Sequence, residues 1–147
     1  MALESYTFGP YKKDNREVFY STNLSYALVN LRPIVPGHVL IIPRREVKRF
    51  ADLTVDETTD LWITAHKIGS RLESYHKATS LTFGIQDGPQ AGQTVPHVHI
   101  HILPRKDDAL DEKEKKLKKK LDSEKERKDR SLEEMTQEAD EYRKLFL

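Results

Sequence analysis

The chain has 147 residues, a formal net charge of +1 and no cysteine, although 33% of its residues are charged. That length supports one ordinary domain with a real core, and the charge balance removes any global electrostatic case for nucleic acid or a membrane surface. The missing cysteines exclude a disulfide framework and thiolate zinc sites, and they fit a reducing compartment.

The N-terminus, Met-Ala-Leu-Glu-Ser-Tyr-Thr, lacks the basic region and apolar run of a secretory signal. No apolar stretch approaches the roughly 20 residues of a membrane span. The expectation is a soluble, cytoplasmic protein, with the nucleus as a second location.

Thr7-Phe8-Gly9-Pro10-Tyr11 reads as a short strand broken by a Gly-Pro turn, and Glu17-Val18-Phe19-Tyr20 as a second short strand. Leu24 to Asn30 is a stronger strand, with Leu24, Tyr26, Leu28 and Asn30 on one face. An asparagine ending an apolar stripe is a turn former or a residue facing a ligand. After the Pro/Gly-punctuated connection Arg32 to Gly37, His38-Val39-Leu40-Ile41-Ile42 forms a buried strand ending at Pro43. His38 stands at its mouth, behind a glycine that lets the backbone turn.

Thr54-Val55-Asp56-Glu57 is a capping box. Behind it Leu61, Trp62, Ala65, Ile68, Leu72 and Tyr75 recur at three- and four-residue spacing, which predicts an amphipathic helix of about 20 residues. His66 and His76 fall near its polar side and read as solvated bystanders. Ser80 to Gln86 alternates again, with Leu81, Phe83 and Ile85 toward the core and Ser80, Thr82, Gly84 and Gln86 on the other face. Asp87-Gly88-Pro89 turns the chain, and Ala91-Gly92-Gln93-Thr94 is a small-residue loop.

His97-Val98-His99-Ile100-His101-Ile102-Leu103-Pro104 then alternates imidazole and aliphatic side chains strictly. Period two predicts a strand with His97, His99, His101 and Leu103 on one face and Val98, Ile100 and Ile102 on the other. The aliphatic face needs a core, and the histidine face needs a chemical reason. Composition changes at Lys106: over 106–130, 20 residues are charged, 11 basic and 9 acidic, which predicts a solvated, mobile insertion. Ser131-Leu132-Glu133-Glu134 is a second capping box, and Leu132, Met135, Ala139, Tyr142 and Phe146 stripe a closing helix over 131–147.

Three imidazoles invite a metal or a nucleophile. Along one strand the outer two lie about 13 Å apart, whereas zinc needs each nitrogen within about 2 Å, so no protein-bound metal is expected. A neutral imidazole, with an ordinary pKa near 6.5, can instead attack phosphorus and form a covalent phosphoramidate. Neighbouring imidazoles and main-chain amides can then bind phosphate oxygens, which is what phosphoryl-type transfer mainly demands.

His97 to Leu103 resembles the histidine triad signature, His-φ-His-φ-His-φ-φ with φ apolar. The likeness extends through Val35-Pro36-Gly37-His38-Val39-Leu40, through Ser80 to Pro89, and through Ala91-Gly92-Gln93-Thr94-Val95. Together these resemble the fragile histidine triad branch, the dinucleoside polyphosphate hydrolases, from about residue 6 to 105 and again in the last helix.

The resemblance implies a single α+β domain over 1–147: an antiparallel sheet with one long helix and a C-terminal helix, the sheet continuing across a homodimer. It implies that His99 attacks the α-phosphorus of diadenosine triphosphate, that ADP leaves, and that water releases AMP. His101 and Gln86 would contact phosphates, and His97 and His38 would support the row. Gly92, Gln93, Thr94 and Val95 would frame the phosphates, and Asn30 would reach the ribose. Mg²⁺ or Mn²⁺ would enter with the substrate's phosphates rather than through a protein cage.

Adenylyl sulfate and adenylyl amidates are further substrates under this reading. A nucleotide-sensing module, whose substrate complex is the signal, is the alternative. Two departures stand out. Tyr11 occupies the region where branch relatives carry a substrate-touching histidine, which makes it a weak contact. No tyrosine lies between Tyr75 and Tyr142, so the regulatory tyrosine of animal relatives does not carry over.

Overall fold

The alternation in the three middle strands divides one sheet into two unlike faces. The computed structural model describes residues 5–106 and 128–147. Most of the expected charged insertion, 107–127, lies outside the described residues.

The chain forms a small antiparallel hairpin, β1 (Tyr6–Phe8) and β2 (Tyr11–Lys13). It then forms β3 (Val18–Ser21), β4 (Ser25–Val29), β5 (Val39–Pro43), helix α1 (Val55–Tyr75), β6 (Ser80–Gly84), β7 (Ile100–Arg105) and helix α2 (Leu132–Lys144). Strands β3 to β7 make a five-stranded sheet in the order β3-β4-β5-β7-β6, with every pairing antiparallel. This is the expected α+β arrangement. Among the described residues no helix is long and apolar enough to cross a membrane.

Register fixes which side chains share a face. Ala27 pairs with Ile41 and Val29 with Val39, while Val39 pairs with Ile102 and Ile41 with Ile100. These six side chains pack against Leu61, Ala65, Ile68 and Leu72 of α1 and Met135, Ala139 and Tyr142 of α2. Each such side chain contributes about 1.5–3 kcal/mol by leaving water. On the opposite face Tyr26, Leu28, Leu40 and Ile42 pack under Tyr6 and Phe8 of the hairpin. Leu40 pairs with His101, so the histidines emerge on this hairpin side.

Both expected capping boxes form. The Thr54 hydroxyl accepts from Glu57 N–H at 3.1 Å, and the Glu57 carboxylate accepts from Thr54 N–H at 2.9 Å. Arg45 donates to both Glu57 oxygens, at 3.0 and 2.7 Å, and this pairing holds the Glu57 carboxyl at about 2. The Ser131 hydroxyl and Glu134 repeat the box at α2. A third box, Asp14 with Glu17, closes the 3-10 turn Asn15–Glu17 before β3.

Four expectations need correction. The histidine stretch is not one strand, since β7 begins only at Ile100. Pro43 and Pro96 lack donors, and the chain between Pro96 and His99 bonds elsewhere: His97 N–H to Val95 O and Val98 N–H to Val47 O. Phe83 is 40% exposed although Leu81 and Ile85 pack on the core, because β6 is an edge strand with one neighbour. Trp62 and Tyr75 are likewise 39% and 41% exposed, on the flank of α1. His76 is no bystander: its Nε2 lies 2.7 Å from the Tyr142 hydroxyl, and burial lowers its pKa. His66 is exposed, as expected.

Candidate active site

The site grows from the end of β4, the mouth of β5, the start of β7 and the loop before it. Asp87 anchors that loop by accepting from Phe50 N–H at 2.9 Å and Arg49 Nε at 3.0 Å, and the Arg49 bond lowers its pKa. Gln93 braces it from within. Its Oε1 accepts from Gly88 N–H at 2.8 Å, and its Nε2 donates to Lys48 O at 2.9 Å. Gly92 has φ +96°, and a Cβ there would lie 2.6 Å from Gln86 Nε2. Glycine is therefore what lets Gln86 lie against the loop.

A cavity of about 570 Å³ opens on the hairpin side of the sheet. Its wall brings together Tyr11, Asn30, His38, Gln86, Gly92, Thr94, Val95, His99 and His101, all picked out by sequence. Two expected residues are not on that wall. Gln93 spends its amide on the loop, and His97 is fully buried behind His99.

The wall also carries residues that sequence reasoning missed: Phe8, Lys13, Leu28, Leu31, Arg32, Ile34 and Leu40. Leu28 and Leu40 were discoverable, since period two puts them on the face of Asn30 and His38. Nothing in the local pattern marks Lys13 or Arg32. Those two are the charged side chains of the wall among the described residues, and both are cations.

The hydrogen bonds assign the ring protons. Gly9 N–H donates to His97 Nδ1 at 2.9 Å, so that nitrogen is an acceptor. His97 Nε2 must then carry the proton, which it donates to Pro43 O at 2.8 Å. The His97 carbonyl in turn accepts from His99 Nδ1–H at 2.7 Å. A neutral His99 so arranged keeps its lone pair on Nε2. Burial is the main cause lowering the pKa of both His97 and His99, which keeps these rings neutral below the ordinary imidazole value of 6.5.

His38 forms the second arm. Ile34 N–H donates to His38 Nδ1 at 3.1 Å, so His38 Nε2–H donates to His101 Nδ1 at 3.0 Å. His101 then carries its own proton on Nε2. Asn30 Nδ2 lies 3.1 Å from both nitrogens of His38. The Phe8 ring meets His99 edge-on at 4.8 Å between centroids, and His101 lies 4.8 Å from His99. The result is one lone-pair nitrogen beside one protonated nitrogen, in a wall with two cations. That arrangement can take an anionic electrophile and form a covalent bond to it.

Among the described residues the wall holds no carboxylate, and no group of three or more His, Cys, Asp or Glu could hold a metal ion.

Comparison with known proteins identifies the family. The HIT domain family model matches residues 12–108. The chain is 67% identical over 152 residues to a bifunctional bis(5'-adenosyl)-triphosphatase/adenylylsulfatase FHIT of Arabidopsis thaliana, covering 97% of this chain and 84% of the relative. It is 50% identical over 139 residues to a bis(5'-adenosyl)-triphosphatase of Dictyostelium discoideum, covering 95% and 91%. The solved diadenosine triphosphate hydrolase of Plasmodium falciparum, in complex with Cyclomarin A, superimposes with a TM-score of 0.81 at 35% identity, covering 98% of this chain and 85% of that one.

Proposed function

The chain belongs to the HIT domain family, and on that premise we propose that it is a bis(5'-adenosyl)-triphosphatase, cleaving diadenosine triphosphate to AMP and ADP through a nucleotidyl-histidine. The observation that carries this reading is the fixed tautomer of His99. With Nδ1–H given to the His97 carbonyl at 2.7 Å, the ring faces the cavity wall as a neutral base with Nε2 unprotonated.

Each step follows from that ring. Nε2 of His99 attacks the α-phosphorus, an N–P bond forms, and the P–O bond to the departing ADP breaks. Phosphate oxygens lie against the His101 Nε2–H, the Gln86 amide, the loop at Gly92, Thr94 and Val95, and the cations Lys13 and Arg32. Asn30, with Leu31 and Ile34, lines the nucleoside end. His97 lies off the wall and His38 on it, and both act by holding the tautomers of His99 and His101. Water then attacks the phosphorus, the N–P bond breaks, and His99 returns to the neutral form as AMP leaves. Adenylyl sulfate fits the same chemistry, since only the leaving group changes.

Mg²⁺ or Mn²⁺ travels with the substrate, bound through phosphate oxygens and water, and no carboxylate among the described residues lines the wall. The protein acts as a homodimer whose sheet continues from one subunit into the next. In support, β6 has a single strand neighbour and leaves Phe83 40% exposed beside its open edge.

The test is direct. Diadenosine triphosphate and Mg²⁺ are added, products are separated, and the quenched protein is weighed by intact mass spectrometry. AMP and ADP in equal amounts, with an adenylyl group trapped on His99, are the expected outcome. Release of other products, or an adduct elsewhere, would sink the assignment.

A further inference from the structure

We infer that Arg130, which lies outside the 12–108 match to the family, is a positioning residue for the nucleoside end of the pocket. The inference rests on the reading above in one respect, that Asn30 and Leu31 face the nucleoside.

Strand β4 ends at Val29, and from Asn30 to Gly37 the chain has no ladder to fix it. Three pocket residues, Asn30, Leu31 and Ile34, sit on this irregular stretch. Arg130 supplies what the sheet does not. Its Nε and Nη2 donate to the Asn30 carbonyl at 3.1 and 2.5 Å, and its own N–H donates to Leu31 O at 3.0 Å. Two consecutive carbonyls are thus held by one residue 100 positions away. Its neighbour Asp129 pairs with Arg32, again on the pocket wall.

The guanidinium is itself held. Nη2 donates to Glu138 Oε1 at 2.7 Å, the Tyr142 hydroxyl donates to Glu138 Oε2 at 3.0 Å, and His76 Nε2 lies 2.7 Å from that hydroxyl. The Arg130 and Glu138 side chains are only 18% and 17% exposed. A half-buried ionic network of this kind adds little net stability over apolar packing, so its use here is geometric. It ties helix α2 to the backbone that presents Asn30, whose amide lies 3.1 Å from the His38 ring that orients His101.

Arg130→Lys and Arg130→Ala are compared with the wild type by steady-state kinetics, by calorimetric AMP titration and by thermal melting. Lysine keeps the charge but cannot give two parallel donors to one carbonyl. The expected result is a rise of about tenfold in KM and in the AMP dissociation constant, with kcat within about threefold, and partial recovery of KM in Arg130→Ala on adding guanidinium. A folded Arg130→Lys or Arg130→Ala with wild-type KM and AMP affinity would overturn the inference. So would a loss confined to melting temperature, which marks a purely structural role. Failure of the proposed function reads differently: the wild type would then bind AMP without turning over dinucleotide, and the AMP titrations would still decide Arg130.

Discussion

The two faces of the sheet are cut from the same strands, yet one behaves as a core and the other as a reagent. On β7, Ile100 and Ile102 turn toward the helices and are fully buried among aliphatic side chains. Between them His101 turns the other way, and His99 precedes them on that same side. The helix face is satisfied by contact alone. The hairpin face is buried too, with His99 only 6% exposed, but every nitrogen that orients the row has a named partner. The difference teaches that stability and chemistry are separable here at a spacing of one residue.

The sharpest break is His99→Asn. Asparagine can still donate to the His97 carbonyl but cannot form the phosphoramidate, so turnover should fall by about 10⁴-fold or more. Calorimetry with a non-hydrolysable diadenosine analogue should show binding largely kept, and the melting temperature should shift little. A variant retaining a few per cent of activity would remove His99 from the nucleophile's role. The complementary break is one residue on. Ile100→Ala opens a cavity in the helix face and should cost about 2–5 kcal/mol in chemical denaturation, leaving KM of the folded enzyme unchanged. A cost under about 1 kcal/mol would mean the helix face is not the rigid side.

Gly92→Ala probes the seam between pocket and loop. With φ at +96° and Gln86 Nε2 2.6 Å from the new methyl, Gln86 must move away from its place on the wall. A loss of about tenfold in kcat/KM is expected, read in a turnover assay. Wild-type kinetics in that variant would exclude Gln86 from phosphate binding.

The smallest effect is the response to acid, where the faces titrate in different windows. His97 and His99 have native pKa values below 6.5, so as pH falls past 6.5 the unfolded chain binds protons that the native chain refuses. Stability tied to the histidine face is therefore complete above 6.5 and declines below it. Glu57, held at about 2 against an ordinary 4.5, contributes stability above 4.5 that is lost as pH drops toward 2. Melting curves from pH 8 to 3 should decline in two stages, and Glu57→Gln should shrink the second, which the lowered carboxyls of Asp14 and Asp87 share. A melting temperature flat between pH 7 and 5 would contradict the first.

Much of this arrangement could be read from residue order. Alternation at 24–30, 80–86 and 97–103 assigned side chains to faces, the apolar run at 38–42 marked a buried strand, and the Thr54 and Ser131 boxes marked both helix starts. Regularity, though, is a local signal. It extended the histidine strand back to His97, where Pro43 and Pro96 withdraw the donors a ladder needs. It counted Phe83, Trp62 and Tyr75 as core, because a periodic stripe does not say which strand will be an edge. Gln93 looked like a phosphate ligand, but the glycines around it leave an N–H that its side chain must satisfy. Lys13 and Arg32 reach the pocket, and Arg130 the backbone behind it, only by tertiary approach, which no spacing encodes.

One bond in this site has an unusual standing under mutation. The acceptor that orients the nucleophile is the main-chain carbonyl of His97, not a carboxylate side chain. No amino-acid substitution can delete it, since every residue brings the same oxygen. Substitutions at positions 97 and 98 will therefore cost packing, since both side chains are fully buried, without removing this acceptor. A second constraint falls on Gly9, whose N–H fixes the His97 tautomer, whose φ is +57° and where a Cβ would stand 2.8 Å from Val95. Part of the genetic footprint of the nucleophile's orientation thus falls 90 residues upstream of it, in a turn that contains no catalytic group.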